Sequence, residues 1–212
     1  MTVSNASLEE QNCVDPAEAQ KPQEVGNDSR NETGPRAANL NSWNKNSNFW
    51  DTTLGEGNDM FTQLILPTIE ELAEVQPHHR VLDLGTGNGI VARRLARRGV
   101  AVLATDYSPQ QIENARKRSQ DLGLAISYEL LDLLSQDALD AFAAEHAEEF
   151  DVITGSMLLK ELSDLTELSK FLPKVLKPTG RVKHSEGSPN HLFGFTDPFT
   201  NYSNLSSMPV FS

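Results

Sequence analysis

One glycine-rich pentapeptide and three carboxylates carry the chemistry legible in this sequence. Gly85-Thr86-Gly87-Asn88-Gly89 directly follows RVLDL, a short apolar run at 80–84. Such a run reads as a strand, and glycines at its end let the backbone turn sharply and approach a ligand without intervening side chains. A lone G-x-G-x-G is equally consistent with a plain turn. Asp83 strengthens the case, because a carboxylate inside a strand is costly to bury unless it is paired. A cationic ligand group above the strand end would pair it. Asp106 stands 17 residues after Gly89 at the end of a second apolar run. A carboxylate there can accept both hydroxyls of a ribose, and Tyr107 offers a flat apolar face to a purine. Asp132 follows a third run and is placed to accept from an exocyclic amine, with Leu133 beside the ring. Singly, Asp106 also suits an N-terminal turn and Asp132 a solvated surface. Jointly, after the glycine loop, they read as one nucleoside-shaped site.

The elements that must position these residues follow from hydrophobic period and punctuation. Strands are predicted at Arg80–Leu84, Val100–Thr105, Ala125–Leu130, Phe150–Thr154 and Arg181–His184. Helices are predicted over Ile90–Arg98, stopped by Gly99, and from Ser108 to a stop at Gly123. Ser108 would N-cap the latter, with Pro109 at its first position and Gln111 completing a capping box. Further helices are expected at Gln136–His146 and at Asp164–Leu176, the last kinked at Pro173. Phe61, Leu64, Ile65, Ile69 and Leu72 recur at helical spacing ahead of the first strand. Alternating short apolar strands and amphipathic helices require parallel pairing and a sheet covered on both faces. The expected fold is α/β and Rossmann-like, with ligands bound beyond the carboxyl ends of the strands.

Composition limits the alternatives. The 212 residues suffice for one substantial core plus a tail. A formal charge of −12 argues against a nucleic-acid partner, and Arg93, Arg94, Arg97 and Arg98 read as a solvated helix face. The single cysteine, Cys13, forms no intrachain disulfide and fits a reducing, cytoplasmic setting; no apolar stretch suggests a membrane span or a secretory leader. Residues 1–40 lack apolar periodicity and read as a disordered acidic tail. The domain proper is expected over 41–184, where Trp43, Phe49, Trp50 and Phe61 flank a turn at Gly55 and Gly57 and should pack on the core.

VLDLGTGNGIVARRLARRGVAVLATDYSPQQIENARKR resembles the first two motifs of the class I S-adenosylmethionine (SAM) methyltransferases, near the branch acting on ubiquinone and menaquinone precursors and secondary metabolites. The resemblance extends from about Trp43 to Arg181. It implies SAM as cofactor, whose ammonium and sulfonium would face Asp83, and a small-molecule acceptor. Asp83, Gly85, Thr86, Gly87 and Asn88 would hold the methionine part, Asp106 the ribose, Tyr107 the adenine pocket, and Asp132 with Leu133 the adenine edge. FDVITGSMLL is similar to the fourth motif, which would turn Gly155, Ser156 and Met157 toward cofactor and acceptor. WNKNSNFWD with GEGND resembles a lid segment, with Trp43 and Trp50 closing over the site. A nicotinamide-binding alternative requires a third glycine where Ile90 stands.

Two departures qualify the resemblance. Relatives often carry a histidine after the fourth motif; here Lys160 and Glu161 occupy that stretch. Glu161 is the candidate base, with a solvated helix-start carboxylate as its structural alternative. In LKPTGR, Thr179 stands where a glycine would tolerate positive φ, and 185–212 lacks two alternating runs joined by a turn. The sequence therefore suggests an irregular or truncated C-terminal segment, with the fifth strand an exposed edge open to a second chain. On that view, a catalytically impaired SAM-binding or partner-binding remnant is the alternative to an active enzyme.

Overall fold

The computed structural model describes residues 35–185 and 192–195. Five parallel strands, β1 (Arg80–Leu84), β2 (Ala101–Asp106), β3 (Ser127–Leu130), β4 (Phe150–Ser156) and β5 (Leu176–Ser185), are joined by β6 (Leu192–Phe195) in one sheet ordered β3-β2-β1-β4-β5-β6. Successive strands run outward from β1 on one side and from β4 on the other, so the order reverses between β1 and β4. The connections leaving their carboxyl ends diverge there and open a crevice.

Residue alternation sorts the core into two layers. Val81, Val102, Ala104 and Val152 face one way, against Ile65, Ile69, Leu95, Ile112 and Ala115. Leu82, Leu103 and Ile153 face the other, against Phe142, Leu168, Phe171 and Leu172. The first layer is covered by α2 (Leu66–Ala73), α3 (Ile90–Ala96) and α4 (Pro109–Asp121), the second by α5 (Gln136–Glu145) and α6 (Thr166–Val175). A single π turn, Phe61–Ile65, precedes α2 and keeps Phe61, Ile65, Ile69 and Ala73 on one buried stripe. No described helix is long and apolar enough to cross a membrane.

Three expectations are corrected. Residues 35–40, read as tail, belong to α1 (Pro35–Leu54), while 1–34 lie outside the described residues. Helix α1 has no apolar stripe, which is why periodicity missed it; Trp43 is half-buried, Phe49 stays 62% exposed, and only Phe61 of the four aromatics is fully packed. The second correction concerns LKPTGR, which lies within β5, and Thr179 is not at positive φ. The glycine that matters is Gly180, where an added Cβ would stand 2.7 Å from Leu176 and 2.9 Å from the Phe150 carbonyl. Third, β5 is not an exposed edge. β6 pairs with it antiparallel, from Val182 opposite Phe195 to Ser185 opposite Leu192.

Candidate cofactor site

Asp83 is the penultimate residue of β1, at 1% exposure. Thr154 Oγ1 donates to its Oδ1 at 2.6 Å and Thr86 Oγ1 to its Oδ2 at 2.7 Å. Desolvation nevertheless outweighs these bonds and pushes its carboxyl up to about 6. The charged form is thus under-compensated, and a cation above it would restore the balance. Gly85 and Gly87 follow at φ +61° and +56°. An added Cβ on Gly85 would strike Leu158 at 2.6 Å, whereas one on Gly87 would meet nothing within 4 Å. The loop therefore shows bare backbone to open space.

Asp106, at the β2 tip, receives Gly87 N–H on Oδ2 and Ser108 N–H on Oδ1, both at 2.9 Å. Each oxygen keeps a second acceptor direction, so the geometry leaves two sites for hydroxyls. Burial pushes this carboxyl up as well. Ser108 caps α4 through Oγ, which accepts from Gln111 N at 3.2 Å. The capping box is nonetheless half made: Asp106 has taken the Ser108 N–H that the Gln111 side chain was expected to hold. Asp132 accepts Leu134 N–H at 2.9 Å on Oδ1 and pairs with Arg36 of α1 through Oδ2.

All three carboxylates line one cavity of about 740 Å³. Gly85, Thr86, Gly87, Asn88, Tyr107, Leu133, Ser156 and Met157 share its wall, with Glu161 at its exposed rim. Gly155 does not reach it. It sits within β4, where the lack of a side chain makes room for Leu158: an added Cβ would lie 3.2 Å from Leu158 Cδ2. Met157 adopts φ +58°, a conformation rare outside glycine that marks strain at a site. Its N–H is held by the Ser185 carbonyl at 2.6 Å.

Helix α1 forms the opposite wall through Arg36, Trp43 and Trp50. Tyr107 Oη donates to Asn39 Oδ1 at 3.1 Å, and Ser108 Oγ to Asn44 Oδ1 at 2.5 Å. Asp51 accepts from Arg118 at 3.0 Å and from Asn88 Nδ2 at 3.3 Å. Arg93 corrects the solvated-face reading: it is 0% exposed. Its guanidinium donates to the Asn88 and Gly55 carbonyls and pairs with Glu56 at 3.1 Å. Only Arg94, Arg97 and Arg98 reach solvent, where they pair with Glu70 and Glu56. Position was the signal for Arg93, since three residues after Ile90 is the buried stripe of α3. The α1 contacts carried no such signal, because they join single polar side chains across 37 or more residues.

Residues 81–180 match the family described as a methyltransferase domain. This segment is similar to a methyltransferase domain. The chain is 33% identical over 121 residues to a ubiquinone biosynthesis O-methyltransferase of Actinobacillus pleuropneumoniae serotype 5b, covering 57% of this chain and 51% of that protein. It is 31% identical over 138 residues to the same-named enzyme of Proteus mirabilis, covering 64% and 54%. The chain thus spans about half the length of the curated relatives it matches. Among solved structures, a Bacillus halodurans C-125 protein described as a methyltransferase superposes at TM-score 0.50 with 22% identity, covering 56% of this chain and 49% of its own. The cyclase SpnF also superposes at 0.50, with 23% identity, covering 57% and 43%. At these identities the likeness concerns fold alone, and a cyclase on the same fold shows why function must be argued from the site.

The cavity's own residues fit SAM, the cofactor that the resemblance implies. The Gly87 backbone faces free space, Asp83 lacks a compensating cation, and Ser156 Oγ is buried without a partner among the described residues.

Proposed function

We propose that the chain is a methyltransferase that uses SAM to methylate a hydroxyl on a small-molecule acceptor. The observation that carries this reading is the convergence of Asp83, Asp106 and Asp132, from three adjacent strand tips, on one cavity of small-ligand size. Bound there, the cofactor supplies an electrophilic methyl carbon on its sulfonium.

Each of the chain's own residues then has a definable task. Ionised Asp83 faces the ammonium, with Thr86 and Thr154 fixing its orientation. Asp106 accepts the ribose hydroxyls on the lone pairs left by Gly87 and Ser108. Asp132 accepts from the adenine amine, between Tyr107 and Leu133. Trp43 and Trp50 on α1, ring centroids 6.3 Å apart, flank the acceptor and exclude water, so that rate derives mainly from positioning. The named relatives are O-methyltransferases, and a hydroxyl needs a base. Glu161 at the rim takes that proton. The formal charge of −12 supports a small acceptor over a polyanion.

Calorimetric titration with S-adenosylhomocysteine, followed by incubation of SAM with a panel of phenols and alcohols, tests the reading. Binding with turnover of a hydroxyl acceptor is expected; no binding at millimolar ligand overturns it. Glu161→Gln should abolish turnover and leave S-adenosylhomocysteine affinity intact, and unchanged turnover would remove Glu161 from the mechanism.

A further inference from the structure

Gln111 is 4% exposed, lines the cavity, and buries an Oε1 that has no hydrogen-bond partner among the described residues. Its local duty has been taken over. In a reciprocal cap its side chain would hold the Ser108 N–H, but Asp106 Oδ1 accepts that group at 2.9 Å. Gln111 contributes to the cap only through its own backbone N–H. A buried, unpaired acceptor destabilises the fold relative to an apolar side chain of the same shape. Methionine would fill this volume without that cost, so the amide lowers the stability of the ligand-free fold.

Direction then identifies what it serves. Side chains on a helix lean toward its N-terminus, which turns Gln111 back toward Ser108 and Asp106 at the β2 tip. The groups facing the methionine part, Asp83 and Thr86, belong to the β1 tip instead. We propose that Gln111 is a further cofactor-contacting residue, its side-chain amide hydrogen-bonded to a ribose hydroxyl beside those held by Asp106. This rests on the adenosyl reading of the cavity given above. A hydroxyl both donates and accepts, so the match holds whichever way the amide is turned.

The test combines thermal unfolding of the ligand-free full chain with calorimetry, comparing wild type and Gln111→Met. The ligands are S-adenosylhomocysteine and its 2′-deoxy and 3′-deoxy analogues. Three results are expected together. Gln111→Met raises the ligand-free Tm by about 2–4 °C. It weakens S-adenosylhomocysteine about three- to tenfold. One of the two deoxy analogues, lacking the partner hydroxyl, binds wild type and variant alike. A lowered Tm, an unchanged Kd for S-adenosylhomocysteine, or equal weakening of all three ligands overturns the proposal. Failure of wild type to bind S-adenosylhomocysteine is a different outcome: it overturns the adenosyl reading of the cavity, and the ribose contact with it.

Discussion

Two walls face each other across the cavity, and they keep their shape by different means. The strand-tip wall is held largely by its own backbone. Gly87 and Ser108 N–H groups fix Asp106, Leu134 N–H fixes Asp132, and hydroxyls within three residues or one strand away fix Asp83. The α1 wall has no apolar stripe and is attached by side chains: Arg36 to Asp132, Asn39 to Tyr107, Asn44 to Ser108, Asp51 to Arg118 and Asn88. Its C-terminal end is additionally clamped through Gly55 and Glu56 to buried Arg93. A wall fixed by backbone is preorganised for its ligand. A wall fixed by exposed and half-buried polar pairs opens at lower free energy, which is what admission of a cofactor into an enclosed site requires.

Breaking the preorganised wall should have the largest effect. Asp106→Ala removes a buried carboxylate from two loop N–H groups and from the ribose, and should weaken S-adenosylhomocysteine about 100-fold by calorimetry. An affinity within threefold of wild type would show that Asp106 is only a turn residue. The pH dependence of binding comes next. Because the free carboxyl of Asp83 is raised to about 6, it is ionised above that pH and protonated below it. A ligand ammonium favours the ionised form, so affinity should be full at neutral pH and fall about tenfold for each unit below about 6. Asp83→Asn should remove this pH dependence.

Perturbing the clamp between the walls should act on stability before affinity. Arg93→Met leaves the Asn88 and Gly55 carbonyls without their buried donor and should cost about 1–3 kcal/mol in chemical unfolding. Proteolysis should accelerate at 55–57 before it does within the sheet. An unchanged cleavage pattern would mean that α1 is held elsewhere. The smallest effect belongs to Arg36→Ala. The Arg36–Asp132 pair is about one-third exposed on each side, so solvent screening limits its worth to under about 1 kcal/mol. Its loss frees an acceptor for the adenine edge and should tighten S-adenosylhomocysteine about twofold. Weakened binding would show that Arg36 supports the site rather than competing for it.

The same division explains what could be read in advance. The strand-tip wall is built from segments within which type and spacing suffice: RVLDL before the glycine loop, Asp106 at the end of β2, Asp132 after β3. There, geometry is local, and the glycine loop and carboxylates, ambiguous singly, point to one site when taken together. Gly155 shows the ambiguity of a strand glycine, which can serve a ligand or the packing of a neighbour such as Leu158. Gln111 was assigned to a cap that Asp106 completes from the preceding strand. Arg93 was placed in solvent because its partners, Gly55 and Glu56, lie more than 35 residues away. The covered edge of β5 was missed because Leu192–Phe195 is too short to stand out by alternation.

Sequence alone determined the parallel α/β sheet, the crevice and the three acidic strand tips, since hydrophobic period and turn chemistry are properties of neighbouring residues. Tertiary structure alone decided that α1 walls the crevice, that Arg93 is buried and that Gln111 lines the cavity with an unpartnered amide oxygen. Those outcomes depend on which polar group reaches a partner first, a competition among residues distant in sequence that no local pattern records.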